Sequence, residues 1–232
     1  MLMKNNVLVV AVHPDDETLG AGGTLLRHKA MGDTIAWVII TSMHESRGFS
    51  KERINERKKE IEAVAQNLGV SKVYELNFPA ASLSSSSLLE LVPAIGKIFD
   101  EFKPETIYLP NRSDAHSDHR VSFDAAMACT KSFRYPSIKK VLMYECISET
   151  EFAPALPENA FIPNYFVDIS DVLNEKLRIL DLYVSEMGEH PFPRSRKNVE
   201  ALATFRGAIA GVKYAEAFSL IKYIDKTEIQ HS

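Results

Sequence analysis

Residues 7–12 (VLVVAV) form the segment that most restricts the fold, because six apolar residues follow one another with no polar break. A strand of that composition is buried on both faces. Such strands belong to parallel sheets enclosed by helices. The chain repeats the theme. Residues 34–41 (TIAWVIIT), 72–77 (KVYELN), 106–109 (TIYL) and 140–146 (KVLMYEC) read as further strands. Helical stretches separate them at 18–31, 51–68, 88–102 and 119–131, the first two ended by Gly32 and Gly69. Glycine suits that place because it readily takes the left-handed conformation that closes a helix. Regular alternation predicts an α/β fold, with a mainly parallel sheet and helices on both faces.

After residue 150 the texture changes. Residues 152–163 carry Pro154, Pro157 and Pro163 and read as an irregular connection. A strand (YFVDIS), a helix from 171 to about 187 and another from 196 to about 210 are expected beyond it. No flexible linker interrupts the chain, so residues 1–232 are read as one domain, with a core of 1–150 and an extension of 151–232.

Composition narrows the function. The net charge is −4, without the basic excess of a nucleic-acid partner. No apolar window reaches the length of a membrane span. The six-residue apolar run near the start is too short for a secretory signal. A cytoplasmic location is therefore expected. Cys129 and Cys146 sit in apolar contexts and match no metal spacing, so both are expected to be buried thiols.

The chemistry gathers where strands stop. The first strand runs into His13-Pro14-Asp15-Asp16-Glu17. Ligands of open α/β sheets bind beyond the carboxyl ends of the strands. One imidazole and three carboxylates crowded there repel one another and are stabilised most simply by a cation. His13 and Asp16 are spaced to share one ion, which leaves Asp15 free as a base. The fourth strand ends in Asn111-Arg112-Ser113-Asp114-Ala115-His116-Ser117-Asp118-His119. His119 supplies a third ligand. Two histidines, one carboxylate and a position for water make the composition of a catalytic zinc site.

At these residues the chain resembles the zinc-dependent N-acetylglucosaminyl deacetylases, the PIG-L or LmbE-like family. Its two motifs stand here as Val12-His13-Pro14-Asp15-Asp16-Glu17 and His116-Ser117-Asp118-His119. Residues 189–218 look most like the bacillithiol-type branch. The resemblance implies a Rossmann-like sheet and hydrolysis of an N-acetyl group on a glucosamine-like sugar. It implies His13, Asp16 and His119 as ligands of zinc, or of ferrous iron, and Asp15 as the general base. By the same resemblance His116 is the acid or oxyanion partner, Asp118 orients it, and Arg57 holds sugar hydroxyls. A homo-oligomer is also implied. Without the resemblance Arg57 would read as a surface residue of a charged helix.

Other residues compete for attention. His44 and Glu45 follow the second strand and can line the same edge. His190 lies in a proline-rich turn, His28 on what reads as a solvated helix face, His231 at the terminus, and Trp37 in a buried strand. Gly20-Ala21-Gly22-Gly23 lies inside the first helix and lacks the spacing of a dinucleotide loop, so close helix–sheet packing is expected instead. Two rival functions use the same ligands: a non-haem iron enzyme and a metal-dependent sugar binder without catalysis.

Overall fold

The computed structural model of the protein describes residues 4–226; His231 lies outside them. Thirteen elements follow in the order β1 (Asn6–Ala11), α1 (Asp16–Met31), β2 (Thr34–Ser42), α2 (Lys51–Leu68), β3 (Val70–Pro79), α3 (Leu88–Phe102), β4 (Thr106–Leu109), α4 (Ser117–Ala128), β5 (Lys140–Tyr144), β6 (Tyr165–Asp168), α5 (Leu173–Leu180), α6 (Arg196–Ala210) and β7 (Ala215–Tyr223). All seven strands join one sheet in the order β3-β2-β1-β4-β5-β7-β6. β1 to β5 pair in parallel, and β7 runs against both β5 and β6. The α/β expectation is met.

Burial on both faces of β1 explains its unbroken apolar run. Val7, Val9 and Ala11 face a core completed by α1, α2, α5 and α6. Leu8 and Val10 face the opposite core, which α3 and α4 cover with Leu91, Ile95, Phe99 and Ala125. The alternation follows from the two-residue period of a strand. Trp37 is fully buried in β2, and Cys129 and Cys146 are buried free thiols. The glycines of α1 allow close approach. A Cβ on Gly23 would stand 2.7 Å from Ile169 Cγ2, and one on Gly20 would overlap the Tyr144 ring.

Three expectations need correction, and one strand, β7, has no counterpart in the sequence reading. β7 reads poorly as a strand because Glu216 interrupts its apolar pattern; the carboxylate is nevertheless buried, paired with Lys176 at 2.7 Å. The helix expected over 171–187 stops at Leu180, and Tyr183 and Glu186 leave it to make contacts elsewhere, a tertiary override of local propensity. α4 begins two residues early, at Ser117, with His116 as its N-cap. His28 is not solvated. It is buried, with Nδ1 2.6 Å from Asp33 Oδ2 and Nε2 2.9 Å from the Tyr108 hydroxyl. Among the described residues no helix is long and apolar enough to cross a membrane.

Candidate active site and metal centre

β1 and β4 are neighbours in the centre of the sheet, although β2 and β3 intervene in sequence. The chain thus reverses its direction of travel between them, and a crevice opens at their carboxyl ends. The turn after β1 and the loop after β4 both empty into it. This topology brings together two motifs that are about a hundred residues apart.

His13 Nδ1, Asp16 Oδ2 and His119 Nε2 form a triangle with edges of 3.3, 3.4 and 3.8 Å. A tetrahedral ion with bonds of about 2.0–2.1 Å spaces its ligand atoms about 3.3–3.4 Å apart. The residues present therefore fit a small divalent cation. Each is held in place. Asp16 Oδ2 accepts the backbone N–H groups of Val12 at 2.9 Å and His13 at 2.8 Å, and the Cys146 thiol lies 3.3 Å from Oδ1. His119 Nδ1 lies 2.8 Å from Asp114 Oδ2. That contact fixes the ring so that Nε2 faces the triangle. Asp114 is itself fixed by the Asn111 amide and the Thr150 hydroxyl, both donating to its Oδ1. Burial alone would lower the His119 pKa, but Asp16 and Asp114 outweigh it and push the ring up to about 9. Burial would likewise raise Asp16, yet His119 and His13 hold it below the usual carboxylate range.

Asp15 stands between the ligands at φ 142°, a conformation that side-chain-bearing residues rarely adopt. Burial, reinforced by Asp16, lifts its carboxyl well above the ordinary value, while Arg194 pulls the other way. His116 lies beside His13, with ring centroids 4.7 Å apart. Its Nδ1 accepts the backbone N–H of Asp118 at 3.1 Å, which leaves Nε2 as the protonated nitrogen of the neutral ring. Burial and the neighbouring His13 keep its pKa low.

Asp118 contacts His116 through its backbone N–H, whereas its carboxylate is engaged elsewhere. The two oxygens accept from the N–H groups of Ala81 and Leu83, and Oδ2 stands 3.7 Å from His13 Nε2. The carboxylate therefore backs His13 more directly than His116.

A cavity of about 440 Å³ opens on these groups. His13, Asp15, Asp16 and His116 line one side; Met43, His44, Phe49 and Ile54 line another. His44 Nε2 is 3.0 Å from both the Ser42 hydroxyl and the Asn77 carbonyl oxygen. Glu45 is exposed and pairs loosely with Lys51 at 4.0 Å; neither it nor His190 is among the lining residues. Arg57 is buried at the wall. It donates to the Pro14 carbonyl at 2.6 Å, to Ser185 and to Glu186, and stands 2.9 Å from Glu60. Of its five N–H donors, that on Nε makes no hydrogen bond despite the nearness of Glu60, and one on Nη1 is left for a ligand.

Sequence reasoning missed Asp114 and Arg194. Asp114 carried a signal, since it lies five residues before a ligand histidine, near enough to reach it. Arg194 also lines the cavity, with Nε 3.9 Å from Asp15 Oδ2 and further bonds to Glu186 and Ser148. It comes from the far end of the chain, and local sequence held no pointer to it.

The chain is similar to known deacetylases. The family model described as "PIG-L: GlcNAc-PI de-N-acetylase" matches residues 8–130. The diacetylchitobiose deacetylase of Thermococcus kodakarensis is 25% identical over 222 residues, spanning 93% of this chain and 82% of that protein. The probable N-acetyl-alpha-D-glucosaminyl L-malate deacetylase 2 of Bacillus cereus is 28% identical over 193 residues, 79% of this chain and 84% of its own length. Among solved structures, the N,N'-diacetylchitobiose deacetylase of Pyrococcus horikoshii superposes with a TM-score of 0.74 at 26% identity, covering 93% of this chain and 83% of that one.

Proposed function

The chain belongs to the PIG-L de-N-acetylase family, and from that premise we propose that it removes the acetyl group from an N-acetylglucosamine-like sugar or small sugar conjugate. The observation that carries this reading is the triangle of His13, Asp16 and His119, of which His13 and Asp16 share a cavity with Asp15. Zinc is the preferred ion for two imidazoles and a carboxylate, and ferrous iron suits the same ligands. When bound, such a cation polarises the amide carbonyl and brings the pKa of water to about 7.

The protein groups do the rest. Asp15 accepts the proton of the attacking water, a role its cavity-facing position and raised pKa support. As the tetrahedral centre forms, the protonated Nε2 of His116 donates to the developing oxyanion, an interaction worth about 3–4 kcal/mol per donor. The leaving amine takes its proton from Asp15 or His116. Arg57 holds Pro14, and its remaining Nη1 hydrogen is available to a sugar hydroxyl. Asp118 keeps two rings in place, His116 through its backbone and His13 through its carboxylate. The cavity volume lies in the range that encloses a small ligand.

The test is acetate release from a panel of N-acetyl sugars, including diacetylchitobiose and N-acetylglucosaminyl malate, by metal-free protein reloaded with zinc or ferrous iron under anaerobic conditions. Release of acetate with the free amine, abolished by chelation, is expected. Metal binding without release from any member of the panel would leave a sugar-binding role in its place.

A further inference from the structure

Glu17 closes the His-Pro-Asp-Asp-Glu run and is fully buried, yet the reaction outlined above gives it no step. A carboxyl without solvent needs partners. Those it has converge on the base. Its Oε2 accepts the backbone N–H of Asp15 at 3.1 Å. Its Oε1 accepts from the Tyr183 hydroxyl at 2.9 Å and from the Thr18 hydroxyl. The Asp15 carbonyl accepts from Thr18 N–H at 3.0 Å and Leu19 N–H at 2.8 Å. The backbone of Asp15 is thus gripped on both sides at a φ of 142°.

Tyr183 is also fully buried, and 166 residues separate it from Glu17. It comes from the segment after α5, outside the residues that the family model matches. An apolar side chain could fill the space under Asp15 as well as Glu17 does. What the acceptor adds is a fixed dihedral at one residue. That residue's aim matters, because a displacement of about 1 Å can cost about 100-fold in rate.

We infer that Glu17 and Tyr183 form a positioning pair, in which the Tyr183 hydroxyl orients the Glu17 carboxyl and Glu17 holds the Asp15 N–H so that the Asp15 carboxylate keeps its aim into the cavity. The inference rests on the reading of Asp15 as the base. Neither member of the pair touches substrate. Their removal should therefore change kcat, with KM and metal content unmoved.

Three variants of the full metal-loaded chain test this. Glu17→Met keeps the bulk and removes the acceptor; kcat should fall about 10- to 100-fold. Glu17→Gln keeps an oxygen for the Asp15 N–H and an amide for the hydroxyls, so it should stay within about threefold. Tyr183→Phe keeps the ring and should cost about three- to tenfold in kcat. Combined with Glu17→Met it should add nothing, because it acts through Glu17. Hydrogen exchange at the Asp15 amide, followed by NMR, supplies a second readout without any substrate. It should accelerate in Glu17→Met and in Tyr183→Phe and stay near the parent in Glu17→Gln. Should Glu17→Met not fold, Tyr183→Phe carries the test alone through kcat and exchange. An unaltered Asp15 amide in both variants overturns the positioning pair, as does a loss confined to KM or to metal content. A parent protein that releases no acetate, but whose Asp15 amide responds as stated, instead overturns the reading of the reaction.

Discussion

His13 Nδ1 and His119 Nε2 stand 3.3 Å apart, although 106 residues separate them in the chain. Nitrogen atoms that close, with a carboxylate oxygen completing the triangle, repel unless a proton or a cation lies among them. The His119 ring is aimed by Asp114 behind it. Asp114→Ala should therefore weaken metal binding about 10- to 100-fold, whereas His119→Ala should abolish tight binding. Competition with a chromophoric chelator measures both. Equal affinity in Asp114→Ala and the parent would mean that packing alone sets the ring.

Asp15→Asn separates chemistry from backbone. Asparagine is among the few residues that tolerate positive φ, so the turn should survive. The variant loses the proton acceptor and should turn over about 100- to 10,000-fold more slowly. Metal content, read by elemental analysis, should match the parent. Loss of the metal along with activity would make Asp15 a ligand.

Legibility in the sequence followed the range of the interactions. The strand-end clusters could be read because each lies within a few residues and the sheet topology follows from simple alternation. The structure brings His13, Asp15, Asp16 and His116 to one cavity, with His119 buried against His13 and Asp16. Arg194, Glu186 and Tyr183 could not be read, since their partners Asp15, Arg57 and Glu17 lie in the turn after β1, in α2 and in the first turn of α1, well over a hundred residues away. The omission of β7 and the misplacing of His28 have a shared reason. Each carries a polar group that hydropathy assigns to solvent, and each buries it against a specific partner. Pattern reading sees the charge and not the partner.

The partner of Glu216 supports a stability prediction. Its carboxylate accepts from Lys176 at 2.7 Å, from the N–H groups of Gly23 and Thr24 at 2.8 and 2.7 Å, and from the Thr24 hydroxyl at 2.6 Å. Lys176 also donates to the Leu19 carbonyl at 2.8 Å. Both charges are buried, so Lys176→Met strands one of them and should cost about 3–5 kcal/mol. The double variant Lys176→Met, Glu216→Gln removes both charges and should recover part of that. Urea denaturation of the three proteins settles it; a double variant no more stable than Lys176→Met would show that the hydrogen bonds to α1, and not the charge, carry the energy.

His28 makes the stability of the fold depend on pH. Burial lowers its pKa, Lys140 and Arg27 lower it further, and the Asp33 carboxylate at 2.6 Å only partly opposes them. In the unfolded chain the ring titrates near its ordinary value of about 6.5. Above that pH both states are neutral at this residue, and its contribution is complete. As the pH falls below it, the unfolded chain takes up the proton first, and stability is lost until the lower pKa of the folded state is reached. His28→Gln lacks this titration. Urea denaturation of both proteins from pH 8 to pH 5, with chelator present to remove metal linkage, isolates the residue as the difference between two profiles. The advantage of the parent should be level above about pH 6.5 and shrink below it. An advantage that grows on acidification would mean that Asp33 outweighs burial and holds the ring charged in the folded state.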